Sequence, residues 1–157
     1  ADIVTAGGAG VSISRFNPQT DALATYAGIS SANDFALVPA EGYRIKLSSD
    51  VNYIIVGSHD PGLVVNLDGP GTNGSASGTQ LYAYPYHSTA NAASQLRDEV
   101  LAQGGGGISL SISRFNPQTD ALTTYAGISS ANDFPLAPGE GYVLKTSGDI
   151  AYVPSHY

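Results

Sequence analysis

The chain has no cysteine, no methionine and no tryptophan, and only six of its 157 residues are basic. Without cysteine there are no disulfides, no thiolate metal ligands and no cysteine nucleophile. The bases Arg15, Arg44, Lys46, Arg97, Arg114 and Lys145 are scattered among 13 acidic residues, for a net charge of −7. No basic stripe follows a phosphate backbone, so nucleic acid is not an expected partner. No apolar run approaches the roughly 20 residues that span a bilayer, so no transmembrane segment is expected. Charge is scarce altogether, at 12% of residues, where about a quarter is usual. Polarity rests on Ser, Thr, Asn and Gln, alongside 19 Gly, 9 Pro and 10 Tyr. That balance is typical of secreted and surface-structural β proteins. The sequence begins Ala1-Asp2, and removal of a secretory signal after a small residue is the simplest route to such a start. The expected location is extracellular or the cell surface.

What the chain does have, it has twice. Residues 12–53 read SISRFNPQTDALATYAGISSANDFALVPAEGYRIKLSSDVNY, and residues 111–152 read SISRFNPQTDALTTYAGISSANDFPLAPGEGYVLKTSGDIAY. The copies align without a gap, 99 positions apart, and roughly three quarters of the pairs are identical. Their flanks differ. Before the second copy stand TQLYAYPYHSTANAASQLRDEVLAQGGGGI, about one strand and one helix; before the first stand only ADIVTAGGAG, whose DIVTAGGAG parallels the tail DEVLAQGGGG. The expected organisation is a first repeat unit over 1–62 that lacks its opening strand and most of its helix. An inter-unit strand and Gly/Ser-rich linker over 63–78 follows, then a complete second unit over 79–157.

Periodicity points to strands. Val11 and Ile13 alternate with Ser12 and Ser14, and Asn17-Pro18-Gln19-Thr20-Asp21 supplies turn chemistry before residues 22–27 return as the second arm of a hairpin. The Pro39-Ala40-Glu41-Gly42 turn leads into a strand from Tyr43. Because Ala40 replaces Gly139 of the second copy, a positive φ is expected at Gly42 and Gly141 rather than at Ala40. Residues 50–56 read as one more strand, 63–67 as another, and 68–78 as a loop too rich in Gly and Ser to pack. Residues 79–87 form a strand with Tyr82, Tyr84 and Tyr86 on one face. Ser88 or Thr89 caps a helix running to Gln103, with Ala93, Leu96 and Val100 at helical spacing. The fold class expected is mainly β: two tandem β-sandwich-like units, with one short helix in the second.

The second unit's order of GTQLYAYP, a short helix, SRFNPQTDALTTYAG and LAPGEGYVLKTS resembles small repeat modules found near the ends of large secreted bacterial proteins. Those modules carry an aromatic hairpin followed by a Pro-Gly-x-Gly-Tyr strand. The likeness covers about residues 78–153 and, less its first third, 11–56; Leu122 and Val143 stand where such modules often carry Trp. The resemblance implies an extracellular, non-catalytic accessory or structural module. A kelch blade shares the hairpin, but its period is about half of this one.

Candidate chemistry is sparse. His59, His87 and His156 have neither metal-ligand spacing nor a nucleophile elbow beside them. The duplicated carboxylates Asp21/Asp120, Glu41/Glu140 and Asp50/Asp149 sit at turns, where bonds to local backbone are expected. No catalytic residue, metal site or cofactor is expected. Asn73-Gly74-Ser75 matches a glycan acceptor pattern. Tyr82, Tyr84 and Tyr86 are candidate contacts to a glycan or to another subunit. The expected function is a structural protein, a filament or surface-layer subunit whose copies join by strand exchange. The partners are other copies of itself, with a secreted glycan-binding or adhesive module for surface polysaccharide as the alternative. The strand that completes unit 1 would come in cis from 63–67, or in trans from the arm 1–10 or the segment 151–157.

Overall fold

The computed structural model describes residue 3 and residues 10–28, 33–52 and 60–155. The described chain is mainly β. Its order is β1 (Ser12–Asn17), β2 (Ala22–Tyr26), β3 (Tyr43–Lys46), β4 (Val65–Leu67), β5 (Thr79–Ala83), helix α1 (Ala93–Gln103), β6 (Leu110–Asn116), β7 (Ala121–Tyr125), β8 (Gly141–Thr146) and β9 (Ile150–Tyr152).

The hairpin and the strand after it fold the same way in each copy of the duplicated sequence. In the first, β1 pairs antiparallel with β2 and with β3, giving the order β2-β1-β3. In the second, β6 pairs with β7 and β8, and β5 adds to the far edge of β8, giving β5-β8-β6-β7. Identical letters make identical local bonds. Asn17 Oδ1 accepts from Gln19 N at 2.9 Å, and Asn116 Oδ1 from Gln118 N at 2.9 Å. These Asx bonds turn each hairpin, helped by left-handed Asp21 (φ 50°) and Asp120 (φ 56°). Hydroxyl pairs cross the hairpins at Ser14–Thr25 and Ser113–Thr124, both 2.8 Å.

The hydrophobic core lies in the second repeat. One face of its sheet carries Tyr82, Tyr142, Leu144, Leu110 and Ile112, each at most 2% exposed. Ala93, Leu96 and Val100 of α1 cover that face, together with Leu67, Ile150 and Tyr152 of the antiparallel β4–β9 ribbon. Burying such a side chain fully is worth about 1.5–3 kcal/mol.

Several expectations change here. The stretch 63–67 does not complete the first repeat: its strand Val65–Leu67 pairs with Ile150–Tyr152 of the second. The following Gly/Ser stretch packs rather than linking loosely. Glycine lets backbones meet there: a Cβ on Gly78, at φ +75°, would lie 2.1 Å from Thr146 O. Residues 84–87 lie beyond the end of β5, and α1 starts at Ala93 rather than after Ser88 or Thr89. Ala40 does take the left-handed backbone, at φ 63°, like Gly139 at 82°. Gly42 serves close approach instead, since a Cβ there would meet the Leu81 and Tyr82 backbone at a tight 3.2 Å. The strand expected over 50–56 falls largely on residues outside those described.

Candidate assembly face on the first repeat

The two repeats differ in what covers the inner face of their sheets. In the second, α1 is held over that face by Asp133, whose carboxylate accepts from Ser94 N at 2.9 Å and Ser94 Oγ at 2.6 Å. This is a helix N-terminus capped from a distant loop; the residue before the helix, Ala92, makes no side-chain cap. The lead-in to the helix is anchored as well. Ala93 N donates to Phe134 O and Leu136 N to Asn91 O, both at 3.0 Å, around an Ala92↔Pro135 bridge.

The first repeat carries the matching receptor; among the described residues before its sheet Ile3 is helical, and no helix of the length of α1 lies over that sheet. Its counterparts of Asp133, Phe134 and Leu136 are Asp34, Phe35 and Leu37. Asp34 is exposed, and Leu37 is 68% exposed. Ile45, the counterpart of Leu144, is 44% exposed where Leu144 is 1%. Val11, Ile13, Tyr26, Tyr43 and Leu47 are only half-buried. Among the described residues the sheet ends at β3, with no strand beside it to match β5. β5 instead meets the first repeat at β1 and at the turn before β3, where Gly42 N donates to Leu81 O at 2.9 Å and Ala83 N to Ala40 O at 3.0 Å.

The receptor is preformed. Phe35 stacks on Tyr43 at 5.9 Å and 8°, as Phe134 stacks on Tyr142 at 6.0 Å and 9°. The Tyr43 hydroxyl accepts from Val38 N at 2.7 Å and donates to Glu41 Oε2 at 2.6 Å. Tyr142 repeats this with Ala137 N and Glu140, both at 2.8 Å. Burial first, then the bond to Glu41, raises the Tyr43 phenol above its ordinary range. Burial also pushes the Tyr142 phenol up, more strongly. Arg15 Nε adds a 2.9 Å ion pair to Glu41. Between the repeats, a cleft of about 490 Å³ is lined by Arg15, Phe16, Pro39, Val64, Asn66 and Gln80 among others.

The residues singled out from sequence fare differently. Tyr82 (1% exposed) and Tyr84 (3%) are core residues of the second repeat and present no exposed platform in this fold. Only Tyr86 reaches the surface, at 65%. The reason is topological: β5 lies between β8 and the first repeat, so its aromatic face turns onto α1 and β9. Tyr82 meets Tyr152 edge-on at 6.1 Å, and Tyr84 donates to Ala90 O. Asn73 is exposed, but its Nδ2 donates to Asp68 at 3.0 Å, and Ser75 of the same triplet is buried, accepting from Gly78 N. The triplet therefore forms a structural turn.

Glu41 and Glu140 bond locally to the tyrosines two residues on, while three of the duplicated aspartates bridge across the fold. Asp149 accepts from Gly69 N at 2.7 Å, Asp21 from Ser77 Oγ at 2.8 Å, and Asp120 from Arg44 at 3.3 Å. His59 and His156 lie outside the described residues, while His87 is exposed. No group of His, Asp and Glu able to hold a metal occurs among the described residues. The segment 151–157 is not a free arm as far as it is described: Tyr152 and Ser155 N both bond Glu99 of α1, and Val153 N bonds Gln103. Asp133 was not singled out from the sequence, although the letter-identical ISSANDF stretch in both copies was its signal. No helix among the described residues is long and apolar enough to cross a membrane. Compared with protein-family models, with curated proteins and with solved structures, the chain finds no match.

Proposed function

We propose that this chain is a non-catalytic structural module of the extracellular space or cell surface. It assembles with further copies by strand addition at its first repeat. One observation carries the reading: the first repeat exposes the face that its near-identical twin buries, with Ile45 at 44% and Leu144 at 1%. A sheet edge beside uncovered apolar side chains is a template for another chain. Two candidate fillers from within the chain, 63–67 and β5, are committed to the second repeat. The acceptor and any donor are different surfaces, so the contact is head-to-tail and propagates rather than closes. Low charge and the Ser/Thr/Asn-rich composition support the extracellular setting. The resemblance to secreted repeat modules points the same way.

The test is light scattering and negative-stain imaging of the full chain across a concentration series, beside Ile45→Asp. The chain is expected to grow with concentration and the variant to remain monomeric. A full chain that stays monomeric throughout would refute assembly.

A further inference from the structure

We propose that the open face of the first repeat is a binding site for a strand–turn–helix segment with the chemistry of residues 79–103, supplied by another repeat of this kind. This rests on the assembly reading above and names its partner. The second repeat shows the bound form. There a five-residue strand pairs with β8 from Thr79↔Lys145 to Ala83↔Gly141. A lead-in then bridges the Phe134–Leu136 backbone, and a helix seats Ala93, Leu96 and Val100 on the sheet.

Every receiving element recurs 99 positions earlier. β3 offers the strand edge, Phe35 and Leu37 stand where Phe134 and Leu136 take the lead-in, and Ile13 and Ile45 stand under the helix. Asp34 matches Asp133, the carboxylate that caps the incoming helix. An exposed carboxylate beside a 68%-exposed leucine and a 44%-exposed isoleucine is poorly explained by the folding of this chain alone. It is well explained as the cap and seat of a helix from elsewhere. The second repeat specifies the partner: a short strand with an inward-facing tyrosine at the place of Tyr82, then a helix opening on small residues with apolar side chains at the spacing of 93, 96 and 100.

The probe is a synthetic peptide of residues 79–103 added to the full chain, with binding read by calorimetry and the site by hydrogen exchange. One peptide is expected per chain, protecting the amides of Tyr43–Lys46. Asp34→Ala is expected to weaken binding about fivefold, the size of a lost helix cap, while Asp133→Ala leaves it unchanged. A peptide carrying Leu96→Asp is expected not to bind, a control that needs no variant of the chain to fold. Absence of binding, or binding weakened by Asp133→Ala and not by Asp34→Ala, would overturn the proposal. The second pattern would mean that the peptide displaces its own counterpart in the second repeat. Chains that assemble yet neither bind the peptide nor are inhibited by it would retain the assembly reading and overturn this one. A chain that binds the peptide but never assembles would do the reverse.

Discussion

Ala40 holds a left-handed backbone, φ 63°, that its twin Gly139 adopts at φ 82°. For a residue with a Cβ this conformation costs roughly 1–2 kcal/mol, partly offset by the greater freedom that glycine has in the unfolded chain. Ala40→Gly is therefore expected to stabilise the protein by about 0.5–1 kcal/mol in urea unfolding; an unchanged or lower midpoint would show that the turn is held without strain. The sequence misleads here because a turn can need glycine either for φ or for space. Ala40 was free to replace a φ-type glycine at modest cost. At Gly42 a side chain would crowd β5, whose backbone lies 3.2 Å from where its Cβ would stand. That contact joins residues far apart in the chain, and no local pattern reports it.

Helix α1 shows how an element's bounds are set from outside. Ser88 and Thr89 precede the apolar spacing and read as caps, yet the helix begins at Ala93 and takes its cap from Asp133. Residues 91–93 are drawn into bonds with Phe134 and Leu136 and leave the helix to start after them. Replacing Asp133 by Ala is expected to lower stability by about 1 kcal/mol, as loss of a helix cap does. Asp34→Ala in the unassembled chain should change it by less than about 0.5 kcal/mol. Thermal unfolding followed by circular dichroism compares the two, and equal losses would mean that Asp34 already caps a helix in the isolated chain. The helix itself was legible from Ala93, Leu96 and Val100, and the hairpins from their Asn-Pro turns. The partners of 63–67 were not legible, since a short β-branched run fits either repeat and only the pairing with β9 decides.

Across the whole molecule, stability is unevenly divided. The described buried hydrophobic core lies in the second repeat and the elements packed on it. The first repeat repeats the hairpin and the Phe–Tyr stack, without the covering layer among the described residues. Local opening follows buried apolar contact, so amides of β3 are expected to exchange at least about tenfold faster than those of β8 in dilute, unassembled protein. Equal protection would show that the chain covers its own first repeat.

By itself the sequence determined that the protein is mainly β, that it is built from two copies of one hairpin-and-strand unit, and that one helix belongs to the second. These follow from periodicity, turn residues and self-identity, which act over a few neighbouring positions. Only the tertiary structure decided which tyrosines are core and which is surface, where the Gly-rich stretch packs, and that the first repeat's face lies open. Matching positions are less covered in the first copy than in the second, because burial depends on what is brought against a face, and two nearly identical stretches cannot state that difference themselves.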